Sequence, residues 1–148
     1  MSIFSELNAS ASALTANRLR MDVTASNIAN ANTTRAQYIN GEWQPYRRKM
    51  VNIAPDSEKQ FSIVFQKALN TNSTGVKVTG IEEDSEPFKL VYEPSHPDAN
   101  DQGYVQLPNV DPLKEMTDLM SASRSYEANV TALNATKGML VKALEIGK

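Results

Sequence analysis

The 148-residue chain contains no cysteine and a single histidine, His96. Disulfide bonds, thiolate zinc sites and cysteine nucleophiles are therefore excluded, as is any site built from several histidines. No stretch approaches the roughly 18 consecutive apolar residues that a membrane-spanning helix needs. Lys and Arg number 15 against 17 Asp and Glu, so the chain also lacks the basic excess that is typical of nucleic-acid-binding proteins.

A basic start is missing as well, because residues 1–15 contain no Lys or Arg. A cleaved secretory signal needs such a start followed by an apolar run, so we expect any export to use another route. The charges are unevenly spread: residues 1–50 carry a net +3, residues 51–108 a net −5 and residues 109–148 none. We interpret these charges as solvated surfaces, and attraction between neighbouring copies is the alternative.

Two long helices are predicted, one near each end of the chain. The first, from about Ser2 to Asn30, contains no Gly or Pro, and apolar or small residues recur at alternating spacings of three and four. The second is predicted over Pro112–Ile146, where Asp111 can cap the helix and proline suits the first position. The larger apolar residues of the two seams are Phe4, Leu7, Leu14, Met21 and Ile28 in the first helix, and Met116, Leu119, Tyr126, Val130, Leu133, Leu140 and Leu144 in the second.

Both seams are narrow, because Ala and Ser occupy many of the positions in and around them. Such helices are marginal alone and need partners that bury their apolar stripes. We therefore expect the seam residues to form subunit interfaces, most simply with other copies of a similar protein. The alternative is an ordinary helical hairpin within one chain, capped by the middle segment.

The middle of the chain has a different composition, with four of the six glycines and six of the seven prolines between residues 38 and 108. Short apolar runs separated by such residues are typical of a small β-rich domain. The predicted strands are Tyr46–Ile53, Phe61–Ala68, Val76–Ile81, Phe88–Tyr92 and Tyr104–Leu107. Before them, residues 27–38 are rich in Asn and Thr, which favour caps and turns, so the first helix is expected to end near Ala31.

The sequence thus predicts an α+β fold in which the N- and C-terminal helices pair as a coiled-coil-like hairpin around an inserted β-rich domain. The expected divisions are an N-terminal helix and connector over residues 1–37, the β-rich domain over 38–108 and a C-terminal helix over 109–148.

Four groups of residues were weighed as sites of chemistry. Asp98, Asn100, Gln102 and Gly103 partly match a calcium loop, but Asn109 stands where the loop needs a bidentate Glu. His96 has no nucleophile signature to accompany it, so a capping or solvent-facing role is expected. The two other groups are an acidic run at residues 82–86, interpreted as a solvated turn, and a basic triplet at residues 47–49 near Trp43 and Tyr46, which is a weak sign of nucleic-acid contact. We therefore expect no enzyme activity, no cofactor, no metal and no nucleic-acid partner.

Two runs of sequence resemble the terminal signatures of bacterial flagellar rod and hook axial proteins. One is the run over residues 25–34, Ala-Ser-Asn-Ile-Ala-Asn-Ala-Asn-Thr-Thr, and the other is the run over residues 124–129, Arg-Ser-Tyr-Glu-Ala-Asn. Within that group, residues 95–100, 103–105 and 108–116 are most similar to a component of the proximal rod. The residues that carry the family motif are Ser26, Asn27, Asn30, Asn32, Thr33, Tyr126, Glu127 and Asn129.

The resemblance implies a structural subunit of the flagellar basal-body rod, the hollow shaft that transmits torque. Its terminal helices would polymerise and line the export channel. Its partners would be other proximal and distal rod proteins, the ring at the rod base and the flagellar type III export gate. It would reach the periplasm or cell-wall space without a cleaved signal peptide, and would take no small-molecule substrate.

Two other functions remain open at this point. One is a helical adaptor or export chaperone of the flagellar secretion system, which would clasp a partner between its helices. The other is a small hydrolase that uses His96.

Overall fold

A computed structural model describes residues 3–39, 41–56 and 75–146, and over these residues two long helices flank three two-stranded sheets in the sequence. The elements are α1 (Ile3–Ala29), β1 (Gln37–Ile39), β2 (Glu42–Gln44), β3 (Lys49–Pro55), β4 (Val76–Glu83), β5 (Lys89–Tyr92), β6 (Tyr104–Leu107) and α2 (Pro112–Ile146). This order confirms the α+β class with long terminal helices and a β-rich middle. Coiled-coil-like pairing of the helices stays a prediction.

The helix boundaries follow from capping residues that the sequence displays. Helix α1 ends two residues before the expected Ala31, and Nδ2 of Asn30 donates to the carbonyl oxygen of Ser26 at 2.9 Å. Helix α2 has the predicted bounds. The predicted cap is present, because Oδ1 of Asp111 accepts the backbone N–H of Leu113 at 3.0 Å.

Four of the predicted strands are present with small shifts. Strand β3 begins three residues after the expected Tyr46, and β4 extends beyond its predicted end to Glu83. Strand β5 does not include the predicted first residue Phe88, and β6 has the predicted bounds. Backbone bonds from Asp56 to Gly75 and from Asp84 to Arg48 make β3 and β4 antiparallel. The predicted strand Phe61–Ala68 lies outside the described residues.

The hairpin β1–β2 lies almost entirely in the predicted β-rich domain, at residues for which no strand was predicted. Tyr38 lies opposite Trp43 in an antiparallel register, and their ring centroids are 5.2 Å apart. Gly41 has a φ of 91° in the turn, a conformation that favours glycine.

The hairpin β5–β6 is antiparallel, with Val91 opposite Val105 and Tyr92 opposite Tyr104. Gly103 stands before β6 with a φ of 81°, and a Cβ atom there would lie 2.9 Å from Cε2 of Tyr92. Both the backbone conformation and the space around this position therefore require glycine.

The chain divides into two compact units. The first is drawn from residues 1–19, 52–80 and 121–148. Its most buried apolar side chains among the described residues are small: Ala16 is 3% exposed and Ala122 is not exposed. The hydroxyl of Ser12 donates to the carbonyl oxygen of Ala9 at 2.8 Å and accepts the N–H of Val76 at 3.1 Å, which holds the start of β4 against α1.

The second unit is drawn from residues 20–51 and 81–120. Its buried apolar side chains are few in the described residues, with Val105, Pro108 and Val110 at its centre. Buried polar side chains accompany them, and these include both Asn27 and Glu115 at 1% exposure. The second unit therefore relies on hydrogen bonds and ion pairs as well as on apolar burial.

Candidate functional site, a buried polar cluster in the second unit

Asn27 lies in the last turn of α1 and makes four tertiary hydrogen bonds. Its Nδ2 donates to the carbonyl oxygen of Lys49 at 2.8 Å and to Oε2 of Glu115 at 2.9 Å. Its Oδ1 accepts the hydroxyl of Tyr46 and the backbone N–H of Lys49, both at 3.0 Å. These bonds use both N–H donors and both lone pairs of the amide, and they tie the end of α1 to the starts of β3 and α2.

Arg48 forms the charged centre of the same region. Its Nε donates to Oε1 of Glu115 at 2.6 Å, and its Nη1 donates to Oδ2 of Asp84 at 3.0 Å. Its Nη2 lies 3.8 Å from Oδ2 of Asp118. The guanidinium is well suited to this position, because its planar set of N–H groups can reach several carboxylates at once.

Asn109 joins the backbone to these side chains. Its Oδ1 accepts the N–H of Arg48 at 2.8 Å, and its Nδ2 donates to the carbonyl oxygen of Glu86 at 3.1 Å. Oδ1 of Asp84 accepts the N–H of Glu86 at 3.0 Å. We name the set Asn27, Tyr46, Arg48, Asp84, Asn109 and Glu115 the buried polar cluster. Over the described residues, no buried side-chain nitrogen or oxygen lacks a hydrogen-bond partner.

The electrostatics of the cluster favour the charged forms of Asp84 and Arg48. The N–H of Glu86, and then the guanidinium of Arg48, lower the pKa of Asp84 below its ordinary value. Burial alone would lower the pKa of Arg48, but the hydrogen bonds to Glu115 and Asp84 outweigh burial and raise that pKa. Arg48 is therefore charged at neutral pH.

The arrangement can hold elements together, and it offers no chemistry of bond breaking. Its carboxylates and guanidinium are engaged with one another, and it contains no thiol, imidazole or activated hydroxyl. Charged groups that are buried and fully paired fix the positions of their backbones, because removing one partner leaves the others buried without a partner. The cluster is therefore a structural site that sets the mutual positions of the ends of α1, β3, β4 and α2 that lie in the second unit.

Comparisons with known proteins give the family. The family described as flagella basal body rod protein matches residues 7–37, and the family described as flagellar basal body rod FlgEFG protein C-terminal matches residues 101–146. A protein of Bacillus subtilis (strain 168) named flagellar basal-body rod protein FlgC is 62% identical, with 100% of each chain covered. Proteins of the same name in Borreliella burgdorferi and Escherichia coli O157:H7 are 42% and 43% identical, over at least 98% of each chain.

The chain belongs to the FlgC family of flagellar basal-body rod proteins. The resemblance found in the sequence is thereby confirmed. This family is structural and not enzymatic, which also confirms the prediction that the chain is not an enzyme.

The structure gives a physical role to part of the family motif. Asn27 lies within the matched range 7–37 and is the hydrogen-bonding hub described above. Asn30 caps α1, and its Oδ1 accepts the hydroxyl of Thr33 at 3.3 Å, while the hydroxyl of Ser26 is 3.5 Å from that of Tyr46. In the second motif, Asn129 donates to the carbonyl oxygen of Ser125 within α2, at 2.7 Å. The remaining members are Asn32 and Glu127, which are exposed, and Tyr126, which is half-buried.

The predicted interface residues differ in their exposure within one chain. Most are half-buried: Leu7, Leu14, Met21 and Ile28 on α1, and Leu119, Tyr126, Val130, Leu133 and Leu140 on α2. Met116 and Leu144 are 54% and 74% exposed. The side chain of Phe4 lies outside the description. The assignment of these residues to subunit interfaces stays a prediction.

Sequence reasoning missed the buried polar cluster, and two interpretations need correction. Arg48 was read as part of a basic surface triplet, but its side chain is only 14% exposed and is bound to Glu115 and Asp84. Asp84 was read as part of a solvated acidic turn, but it is buried, whereas its neighbours Glu82, Glu83 and Glu86 are exposed. Arg48 and Asp84 lie outside both matched ranges, and their placement depends on distant parts of the chain.

The candidate calcium loop is held by hydrogen bonds within the loop and from residues near the end of α1. The carboxylate of Asp98 accepts hydrogen bonds from Thr34 and Arg35, and Oδ1 of Asn100 accepts those of the N–H groups of Gln102 and Tyr104. Nδ1 of His96 accepts the N–H of Asp98 at 3.1 Å, as expected of a capping histidine. The described part of the chain places no three His, Asp or Glu residues where they would hold a metal ion.

Neither α1 nor α2, over the residues described, combines the length and the apolar character that crossing a bilayer requires.

Proposed function

We propose that the chain is a structural subunit of the proximal flagellar rod, that it polymerises through its terminal helices, and that the assembled shaft transmits torque and lines the export channel. The observation that carries the proposal is the similarity to FlgC proteins over the whole length of both chains. The residues themselves support a mechanical function, because the buried polar cluster rigidly joins several elements and contains no reactive group.

We further propose that α1 and α2 pair as a coiled-coil-like hairpin in the assembled rod. The alternating seams support this pairing. In the second unit, the hydrogen bond from Asn27 to Glu115 and an ion pair of 3.6 Å from Arg20 to Asp118 already link the two helices. The expected division into residues 1–37, 38–108 and 109–148 belongs to the same proposal, with the helices as assembly elements and the middle facing outward.

Apolar side chains on α2 support contacts beyond one chain. In the second unit, Leu113, Met116 and Met120 are 74%, 54% and 56% exposed, and their spacing places them on one helical face. In the first unit, Met139, Leu144 and Ile146 are at least 60% exposed. A shaft subunit must contact neighbours above, below and beside it, and several modestly apolar faces suit that need.

The partners and the location follow from the same proposal. Neighbours would be other proximal and distal rod proteins, the ring at the rod base and the flagellar type III export gate. The subunit would be exported to the periplasm or cell-wall space without a cleaved signal peptide, as the resemblance to flagellar axial proteins implies.

Two seam substitutions test the proposal. We expect Leu14→Asp and Leu133→Asp each to abolish motility when they replace the wild-type protein in a deletion strain, because each places a charge in a helix interface. Matched controls are Thr15→Asp and Asn134→Asp, which add the same charge at neighbouring exposed positions. Full motility with either seam variant would contradict the burial of that seam in the rod.

The composition of purified basal bodies separates the rod subunit from an adaptor or export chaperone. A rod subunit must be present in basal bodies stripped of cytoplasmic components, and a chaperone must be absent from them. A deletion strain that builds a normal hook and filament and swims would refute the rod assignment itself.

A further inference from the structure

Strand β5 has an edge that pairs with nothing among the described residues. The two-stranded sheet joins β5 only to β6, and all four residues of β5 are exposed. Leu90 and Tyr92 are each 65% exposed. A strand edge of this kind presents N–H and C=O groups that are ready to pair with another strand.

The hydrogen-bond pattern shows which residues of β5 face the free edge. The N–H of Glu93 donates to the carbonyl oxygen of Gly103 at 2.9 Å, in the same register as the pair Val91–Val105. In an antiparallel ladder, the residues that bond to one neighbour alternate with those that point away from it. The backbone N–H and C=O groups of Leu90 and Tyr92 therefore point to the free edge.

Two copies of this strand that run antiparallel to each other have complementary side chains. Residues 89–93 read Lys-Leu-Val-Tyr-Glu. An antiparallel pair centred on Val91 places Leu90 of each copy opposite Tyr92 of the other, which is the register that the free backbone groups require. The same register places Lys89 of each copy opposite Glu93 of the other, and cross-strand pairs of opposite charge stabilise sheets.

We propose that β5 binds β5 of a second copy of this chain around a two-fold axis, forming the four-stranded sheet β6-β5-β5-β6. Four backbone hydrogen bonds, two Leu90–Tyr92 contacts and two Lys89–Glu93 pairs form the interface. Glu93 is exposed and available, and its carboxylate has no partner in the described ranges. Lys89 donates to the carbonyl oxygen of Val110 at 2.8 Å and retains two further N–H donors for the carboxylate.

The contact closes after two copies, so it cannot propagate a filament. The strand is short and lies between Pro87 and Pro94, which also limits pairing to a small area. The interface is smaller than the roughly 1,200 Å² of stable complexes, so the dimer is weak and reversible. It concerns free folded subunits and does not rest on the proposed rod function.

Sedimentation equilibrium on the full chain tests the proposal, at loading concentrations from about 10 μM to about 1 mM, a range that covers weak association. We expect the weight-average mass to rise above 16.3 kDa with concentration. Leu90→Pro is expected to weaken association about tenfold or more, because it removes an outward N–H while leaving the bonds to β6 intact. Glu93→Lys is expected to do the same by placing like charges opposite each other.

A charge-reversal set makes the test specific to the register. The double variant Lys89→Glu/Glu93→Lys restores both opposite-charge pairs and is expected to dimerise again. An equimolar mixture of the single variants Lys89→Glu and Glu93→Lys is expected to do the same. Glu42→Lys, the same charge change at an exposed residue of β2, is the control and should leave association unchanged. Far-UV circular dichroism and the fluorescence of Trp43, the one tryptophan, verify that each variant is folded.

Three results would overturn the proposal: a wild-type mass that stays monomeric to about 1 mM, association that Leu90→Pro leaves unchanged, or a double variant that stays as weak as Glu93→Lys. Hydrogen exchange gives an independent readout. The amides of Leu90 and Tyr92 should gain protection with concentration, and unchanged exchange at both would equally contradict the pairing.

Discussion

Asparagine suits position 27 because the surrounding groups require two donors and two acceptors in one plane. The carbonyl oxygen of Lys49 and a carboxylate oxygen of Glu115 need N–H donors, while the N–H of Lys49 and the hydroxyl of Tyr46 need an acceptor. Aspartate has no donor to offer, and serine is too short to present four partners. A single amide therefore fixes three elements of the second unit.

Replacement of Asn27 is expected to destabilise the protein by at least about 2 kcal/mol, because it leaves several buried polar groups without partners. Asn27→Asp should cost more than Asn27→Ala, since it places a second carboxylate against Glu115. Urea unfolding followed by circular dichroism measures both variants. Asn129→Ala is the matched control, because among the described residues that side chain bonds within its own helix, and the midpoint of this variant should barely change.

A low-pH loss of stability is expected from Asp84, whose pKa in the folded protein lies below the ordinary aspartate value of 3.8. A lowered pKa contributes stability that is present above the unfolded value and is lost as the pH falls through the folded value. The wild-type urea midpoint should therefore drop as the pH is lowered from about 5 to below 3.8. Asp84→Asn should be less stable at neutral pH and show a smaller drop.

Asp98→Asn provides the comparison for that pH dependence. Asp98 also has a lowered pKa, caused by Arg35 and then Thr34. Its ion pair with Arg35 is more exposed to solvent, and exposed pairs contribute little. A pH profile altered as strongly by Asp98→Asn as by Asp84→Asn would contradict a dominant contribution from the buried polar cluster.

None of the cluster contacts could be predicted from local sequence, because each member has a sufficient local interpretation. Asn27 belongs to an Asn-rich stretch, Arg48 to a basic triplet and Asp84 to an acidic run. Glu115 suits the first turn of a helix on dipole grounds alone. Their association spans 88 residues of sequence between Asn27 and Glu115 and depends on the tertiary fold.

At the scale of elements, the helices were predictable and two of the strands were not. Periodicity, the absence of proline and a capping Asp111 define α2 over its full length. Strands β1 and β2 have three residues each, too few for a periodic pattern. Their pairing depends on the turn at Gly41 and on contacts such as that between Tyr38 and Trp43.

Ala16 in α1 and Ala122 in α2 are buried, so larger side chains should not fit at either position. Ala16→Leu and Ala122→Leu are each expected to destabilise the protein by about 1–3 kcal/mol, because inserted methylene groups force neighbours to move. Ala11→Leu and Ala128→Leu make the same change at exposed positions of the two helices. The thermal midpoints of the four variants measure the effect, and equal values for buried and exposed sites would contradict close packing.

At the scale of the whole molecule, burial along α1 is uneven. Among its described residues, the first unit buries only Ala16 fully, whereas the second buries both Thr24 and Asn27. Leu7 and Leu14 remain half-buried. A helix held mainly at one end opens from the other, because local opening requires little free energy where few side chains are buried. Assembly would supply the missing contacts.

Hydrogen exchange of the dilute chain should therefore show a gradient along α1. Amides near residues 5–14 are expected to exchange fastest, and amides near residues 24–29 slowest, since the latter open only when the buried polar cluster breaks. The same measurement on purified basal bodies should show protection extended over residues 5–28, because neighbouring subunits bury the seam. Uniform strong protection of α1 in the dilute monomer would mean that the apolar seam is already buried within one chain. The helix would then have no exposed apolar strip left for a neighbouring subunit.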